Sequence, residues 1–225
     1  QTKAEEMYGH ISTWDTSKVN YMHELFQDCK EFNDNIGDWD VSNVTRMDDM
    51  FNGAEAFNQD ISQWNVSKVT NMQFMFCSAW KFNQPIGQWD VSKVTTMEGM
   101  FNNARAFNQP IGNWNVSRVI NMNRMFSGAS KFNQPIGQWN VSKVTDMSSM
   151  FFHAVSFNKD ISGWDVSQVT TMYAMFSGAA AFNQDVGQWM ILKSPNMTYM
   201  FLHSGYTHPE PSPERARALQ NDVRN

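Results

Sequence analysis

Basic side chains that recur every 25 residues are the first feature with a chemical use. They are Lys68, Lys93, Arg118 and Lys143. If the repeats stack, these cations form one stripe, which predicts binding of an acidic glycan or a phosphate. Acidic residues recur three positions earlier, at Asp15, Asp40, Asp90 and Asp165. They favour the alternative of a solvated, charge-balanced edge, or of a calcium ladder, although no dense acidic loop is present.

A row of uncharged amides lies beside the tryptophans. Its members are Gln63, Gln88, Asn113, Gln138 and Gln188. A second series is Gln59, Gln84, Gln109, Gln134 and Gln184, and together the two rows predict a polar face. Such a face suits weak, multivalent hydrogen bonding to a protein or polysaccharide, and its alternative is a plain solvated surface. A regular polar array could also order water, with the threonines as the candidate row for ice binding.

An asparagine row is nearly invariant within the chain and predicts a structural ladder. Its members are Asn33, Asn58, Asn83, Asn108, Asn133, Asn158 and Asn183. An amide at the same bend of every repeat can bond the backbone of the next repeat and satisfy polar groups that a tight turn would strand. The alternative is a hydrogen-bonding row on the surface.

Catalytic chemistry is not indicated. No zinc-protease, nucleophile-elbow, phosphate-loop or C-x-x-C motif occurs, and the five histidines are scattered. We therefore predict no enzyme, no cofactor and no metal site. A net charge of −5 argues against a general nucleic-acid binder. No apolar run approaches the roughly 18 residues of a membrane span.

The elements that position these rows follow from the same period. Tryptophans stand at Trp14, Trp39, Trp64, Trp89, Trp114, Trp139, Trp164 and Trp189. Phe and Met repeat with the same 25-residue period at other positions of the unit. A fixed period without insertion indicates stacked coils. Trp shares the alternation of Ile and Val, which favours core packing over a ladder that stacks on sugar rings. The Met rows are likewise assigned to the core.

Each unit predicts one short strand followed by one short helix. Residues 64–67 alternate as a half-buried strand does. Met72, Met75, Phe76 and Ala79 have helical spacing, and Thr70 precedes them as an N-cap. The fold expected is an α/β solenoid of the leucine-rich-repeat size class, with about eight 25-residue coils, each with one parallel strand and one helix. It occupies residues 1–206 with degenerate end copies.

The unit W-D-V-S-x-V-T-x-M-x-x-M-F-x-x-A-x-x-F-N-x-x-I resembles the BspA-like leucine-rich repeats of surface proteins, first collected from mycoplasma lipoproteins. The resemblance covers about residues 7–206. It implies a binding or adhesion protein, at the cell surface or secreted, and it transfers no catalytic residue because the motif is structural.

The remaining segments carry two further predictions. Residues 207–225 begin as a Pro-rich exit, after which Glu214 to Gln220 form a short helix that either caps the last coil or frays as a linker. Cys29 and Cys77 lie two coils apart, too far for a disulfide, which predicts two free thiols. Cys29 takes an inward alanine phase and is expected to be buried.

The function predicted from these features is a non-catalytic module that presents an exposed face to a protein or glycan. The alternative is a structural or assembly subunit, or a spacer, within a larger complex. Five aromatic residues outside the repeat pattern bear on that choice, namely Phe74, Trp80, Phe152, Tyr173 and Tyr199. If they form one exposed patch, they become an assembly surface.

Overall fold

The computed structural model describes residues 2–213 as a stack of 25-residue coils. An α-helix, Thr2–Tyr8 (α1), and a 3₁₀ helix, Ile11–Thr13, precede the stack. Neighbouring coils meet at isolated parallel bridges that start with Tyr21–Arg46 and end with Thr171–Asn196. The predicted helix at Glu214–Gln220 lies outside the described residues.

The prediction of one strand and one helix per coil is wrong. Within residues 14–212 the chain consists of turns, bends and single bridges, with no strand and no helix. The α/β architecture expected from the repeat is therefore replaced by coils built of turns.

The helix-like spacing of Met and Phe arises from β-turns, each closed by a hydrogen bond from an N–H to the carbonyl three residues earlier. Met50 N–H donates to the Met47 carbonyl at 3.3 Å, and Ala54 N–H to that of Phe51 at 3.0 Å. Met47 and Phe51 instead donate to the next coil, to the carbonyls of Asn71 and Met75. Met and Phe still point inward, as on a helix, but their N–H groups are taken by bonds between coils.

Left-handed backbone excludes a helix in every coil. Two residues per coil have φ between 50° and 74°, for example Asp49 with Gly53 and Phe74 with Ser78. Gly53 adopts this conformation without strain because it has no Cβ. An L-residue such as Phe74 adopts this conformation at a cost of roughly 1–2 kcal/mol, so the bonds between coils must stabilise it.

The strand is interrupted by a turn that uses a side chain. In the coil of Trp64, the Asn65 carboxamide accepts from the Ser67 backbone N–H at 3.2 Å, and Val69 N–H donates to the Val66 carbonyl at 2.9 Å. Asp and Asn compete with sheet pairing in this way. The alternating Trp64 and Val66 are both buried, although the backbone turns between them.

The core consists of aromatic, Met, Val and Ile rows that continue from coil to coil. Trp39 through Trp189 are only 1–5% exposed, so the tryptophan row packs in the core. Each donates from Nε1 to a backbone carbonyl of the preceding coil, as Trp89 does to Ile61 at 3.2 Å. Phe51 lies 4.0 Å from Phe57 within its coil and 5.5 Å from Phe76 in the next, measured between ring centroids.

The two ends of the stack differ. At the first coil Trp14 is 40% exposed and donates to the Gly9 carbonyl. At the last coil Tyr206 stacks on Phe201 at 3.9 Å, and Thr207 N–H bonds the Asn183 carboxamide at 2.9 Å. The beginning of the exit segment therefore closes the last coil.

Candidate functional site

The asparagine row forms a continuous ladder inside the stack. Each Oδ1 accepts the backbone N–H of the Asn 25 residues later, at 2.8–3.0 Å, along the row Asn33, Asn58, Asn83, Asn108, Asn133, Asn158 and Asn183. The glutamines one position later donate to the same asparagines, as Gln84 Nε2 does to the Asn58 carbonyl at 2.8 Å. The series beginning at Gln59 is therefore bonded to the preceding coil, and its prediction as part of an open polar face is wrong.

The threonines also bond between coils. Thr70 Oγ1 donates to the Thr45 carbonyl at 3.3 Å, and Thr95 Oγ1 donates to that of Thr70 at 3.2 Å. Their prediction as helix N-caps is wrong, since no helix follows them. The Glu98 carboxylate accepts from the amides of Gln73 and Asn121 in the neighbouring coils.

The basic row and the amide row are both exposed. The basic row is Lys68, Lys93, Arg118 and Lys143, and the amide row is Gln63, Gln88, Asn113, Gln138 and Gln188. Lys68 Nζ donates to the Asn43 carboxamide at 2.7 Å. The Ser92 hydroxyl and then its backbone N–H lower the pKa of Asp90, with a smaller contribution from Lys93. Acidic side chains thus lie near part of the basic row.

A different face carries side chains that change from coil to coil. We define the variable face as the positions of Asn71, Gln73, Phe74 and Cys77 in each coil. From coil two to coil eight the second position holds Asp48, Gln73, Glu98, Asn123, Ser148, Tyr173 and Thr198, with no residue type repeated. The third holds Asp49, Phe74, Gly99, Arg124, Ser149, Ala174 and Tyr199, again all different.

The N-terminal part of the variable face is a cluster of charged groups. Arg46 donates to both carboxylate oxygens of buried Asp48, at 2.9 and 2.8 Å. His23 lies between Asp48, 2.6 Å from Nδ1, and Glu24, 3.1 Å from Nε2. Asp49 completes the cluster and accepts from the Asn52 amide at 2.8 Å.

This cluster has the donor set of a metal site, but its buried carboxylate, Asp48, already has a cationic partner. His23, Asp48 and Asp49 each offer one ligand atom, and these atoms lie within 4.8 Å of one another. However, the Arg46 guanidinium takes both oxygens of Asp48, and a divalent ion would have to displace it. We assign the cluster to charge presentation rather than to metal binding.

Two half-buried carboxyl groups on this face are weakly compensated. Burial raises the pKa of Asp49, and the hydrogen bond from Asn52 opposes this shift. Burial likewise raises the pKa of Glu98, opposed by the bond from Asn121. The side-chain amides of neutral residues donate to both carboxyl groups, at 2.8 Å for Asp49 and at 3.0 and 3.2 Å for Glu98.

The C-terminal part of the variable face is a groove of about 490 Å³. Buried Ser127, Ala174 and Ser177 are small residues of its lining. Larger lining residues are Arg124, Phe152, Tyr173, Tyr199 and Leu202. Tyr173 and Tyr199 are 41% and 56% exposed and meet edge to face, 5.8 Å between ring centroids.

The five aromatic residues outside the repeat pattern therefore divide. Phe152, Tyr173 and Tyr199 line the groove, whereas Phe74 and Trp80 do not. Trp80 instead lies under Arg105, 5.0 Å from the guanidinium carbon to the ring centroid. Sequence reasoning missed the charged cluster and the groove because it assigned these positions to helices. The available signal was the lack of repetition in two rows of an otherwise regular chain.

The cysteines are both free, as predicted, but Cys29 is exposed rather than buried. It takes the alanine phase of the first coil, at the end of the stack, where it lines a cavity with Trp14 and Phe26. Cys77, on the variable face, is half-buried, and burial raises the pKa of its thiol.

We expect two thiols with different rates in the native protein. Cys29 reacts fast with Ellman's reagent, whereas Cys77 reacts more slowly because burial and a raised pKa both reduce its accessible thiolate. The measurement is the time course at pH 8, with the denatured protein giving the total of two. Cys77→Ser should remove the slow phase alone. A slow phase lost in Cys29→Ser would contradict the assignment.

In the part of the chain that the structure describes, no helix has the length and apolar character needed to cross a membrane. No curated protein and no solved structure matches the chain. A family model described as "Mycoplasma protein of unknown function, DUF285" matches it twice, over residues 1–114 and 100–210. These two matches span nearly all of the coils, so the chain belongs to the DUF285 family.

Proposed function

We propose that this protein is a non-catalytic binding module whose variable face recognises a macromolecular partner. The observation that carries the proposal is the contrast between rows. Positions such as those of Met72, Met75 and Phe76 keep their residue type from coil two onward, while the two positions between Met72 and Met75 change at every coil. Coil-to-coil contacts explain the constant rows, and a non-repeating partner surface explains the varied ones.

The scaffold suits this role because it holds the varied side chains rigidly. Backbone N–H groups of this segment bond the next coil, as Asp49 does to the Gln73 carbonyl at 2.9 Å. Each side chain of the face therefore has a fixed position along the stack. Tyr and Arg, which dominate binding energy at many interfaces, both line the groove.

The basic row and the amide row offer less discrimination. Both rows repeat one or two residue types, so they present the same chemistry at nearly every coil. Such rows suit solubility or weak multivalent contact. We assign specific recognition to the variable face and use the basic row as a control.

The setting we propose is the cell surface or the extracellular medium. Two features support it: the likeness of the repeat unit to BspA-like surface proteins, and membership of a family described from mycoplasma proteins.

The test compares two matched variants against two libraries. One variant carries Arg124→Ser, Tyr173→Ser and Tyr199→Ser on the variable face. The control carries Lys68→Gln, Lys93→Gln, Arg118→Gln and Lys143→Gln in the basic row. Both are checked for an unchanged circular dichroism spectrum and melting temperature. Each protein is then screened with a phage-displayed dodecapeptide library and a glycan array.

We expect binders selected on the natural protein to lose at least about tenfold in affinity for the face variant, as loss of one good contact would give. The control should keep them. If binders are lost in the control and kept in the face variant, recognition belongs to the basic row instead. If neither library yields a binder that depends on the face, the proposal fails.

The alternative, a structural or assembly subunit, is supported by the first coil. Ile11, Trp14, Phe26 and Phe32 line a cavity of about 650 Å³ at the beginning of the stack. Apolar surface at the end of a repeat stack is suited to contact with another protein unit. Sedimentation equilibrium measures this directly: a mass that rises with concentration, and falls to the monomer in Phe32→Ser, would favour assembly.

A further inference from the structure

We propose that the partner is an extended polypeptide segment. It places a large apolar side chain in the groove and basic side chains over the carboxylates toward the N-terminal end of the variable face. This inference rests on the proposed function and names the chemistry of its ligand.

The groove has the form of an anchor pocket. Small buried residues, Ser127, Ala174 and Ser177, leave room between the larger Phe152, Tyr173, Tyr199 and Leu202. Its volume of about 490 Å³ falls within the ordinary range of ligand pockets. A buried apolar anchor surrounded by aromatic rings is the usual centre of a protein interface. The groove therefore accommodates one Leu, Met or Phe side chain of a partner.

The rest of the face is acidic. Its four rows carry five carboxylates, on Glu24, Asp48, Asp49, Glu98 and Asp146, and two guanidinium groups, on Arg46 and Arg124. The net charge is −3 with His23 neutral. Arg46 is engaged by Asp48, which leaves most of the other carboxylates with amide or backbone donors. Lys or Arg of a partner would complement them.

Carboxyl groups held in partial burial strengthen this complementarity. The pKa values of Asp49 and Glu98 are raised because burial disfavours their charged forms. A neighbouring cation favours the charged form and offsets this cost. A neutral glycan brings no such cation, and an acidic glycan or a nucleic acid meets net repulsion. These charges favour a basic polypeptide over a polysaccharide.

Recognition must run through side chains rather than through strand addition. The N–H groups of Met47, Asp49, Phe51 and Gly53 all donate to the next coil. No open row of these donors is left for a partner strand to pair with. A partner is therefore selected by the identity and spacing of its side chains.

The stack sets that spacing. Glu98 and Tyr173 occupy the same row three repeats apart, and Asp49 and Ala174 occupy the adjacent row five repeats apart. With parallel neighbours about 4.8 Å apart, these separations are about 14 and about 24 Å. Extended chain advances about 3.3 Å per residue, so basic residues belong about four and about seven residues from the anchor.

The experiment uses synthetic dodecapeptides of Ser and Ala, labelled with fluorescein. The lead peptides carry one Phe and Arg at four and seven residues from it, in both chain directions. Comparison peptides move both Arg next to Phe, replace Arg by Glu, or replace Phe by Ser. Fluorescence anisotropy gives Kd at about 50 mM and about 500 mM salt, a range that separates screened from unscreened charge.

We expect one of the two lead peptides to bind at least tenfold more tightly than each comparison peptide. Its affinity should fall at high salt. The pair Asp49→Asn and Glu98→Gln should weaken it at least tenfold and flatten the salt dependence, while Lys93→Gln leaves it unchanged. The amide substitutions keep the shape of the side chains, so loss of affinity in this folded variant assigns the basic residues of the peptide to Asp49 and Glu98. Tyr199→Ser removes an exposed residue of the groove wall, so loss of affinity in this folded variant assigns the Phe of the peptide to the groove.

Several results would overturn the inference. Equal affinity for the Arg and Glu peptides would show that charge does not contribute to binding. Equal affinity for the peptides with near and distant Arg would show that the spacing of the repeats does not select the partner. Selection of acidic peptides or of glycans that depend on the variable face would also refute it. In those cases the proposed function stands. If no library member depends on the face, both fail together.

Discussion

Trp89→Ala is expected to lower the free energy of unfolding by about 3–5 kcal/mol, the usual cost of deleting a buried aromatic side chain. Trp89 is 4% exposed in a middle coil, stacks on Trp64 at 6.5 Å between centroids, and bonds the Ile61 carbonyl. Its removal leaves a cavity where two coils meet and takes away one of the two hydrogen bonds that the Ile61 carbonyl accepts, while the bond from the Trp64 N–H remains. Urea unfolding followed by circular dichroism measures the change.

Trp14→Ala supplies the matched control. Trp14 holds the same phase in the first coil but is 40% exposed, and its Nε1 bonds Gly9 in the preceding segment. We expect a loss of about 1 kcal/mol, in keeping with one lost hydrogen bond and little lost burial. Equal losses at the two positions would show that the tryptophans do not owe their effect to packing between coils.

Asn108→Ala is expected to cost about 0.5–1.5 kcal/mol, the usual net contribution of a hydrogen bond to stability. Asn108 Oδ1 accepts the half-buried Asn133 backbone N–H at 2.9 Å and the Gln134 amide at 3.0 Å. At an alanine the Asn133 N–H loses this acceptor, whereas the Gln134 amide keeps its bond to the backbone carbonyl of residue 108 at 3.0 Å. The same urea titration gives the magnitude.

Asn113→Ala separates the ladder from a general loss of amides. Asn113 is exposed in the amide row, so its replacement should change stability by less than about 0.5 kcal/mol. A comparable loss at Asn113 and Asn108 would contradict the distinction between an internal ladder and an open polar row.

The sequence predicts which side chains face inward but not how the backbone carries them. Met72, Met75, Phe76 and Ala79 are buried, as a helix would place them. Successive β-turns give the same inward spacing. The choice between a helix and such turns depends on which carbonyls accept the backbone N–H groups. Those acceptors lie about 25 residues away, as the Thr96 carbonyl does for Met72, and hydrophobic periodicity carries no information about them.

Some signals of the true backbone were present locally. Asn65 followed two residues later by Ser67 is typical of a turn in which the side chain accepts a backbone N–H. The strand was predicted because the alternation of Trp64 and Val66 was given more weight than this turn signal. The charged cluster of His23, Arg46 and Asp48 joins two coils, so the spacing of residues within one coil does not predict it.

The asparagine ladder has a consequence for how such genes can vary. Every rung joins the same atoms of neighbouring coils, from Asn58 to Thr207. Duplication or deletion of one 75-nucleotide unit would therefore add or remove one rung without altering the others. Some neighbouring units are matched to each other, since Gly99 leaves the space that the Phe74 ring occupies. Recombination that keeps such pairs together would change the number of coils while leaving the ladder intact.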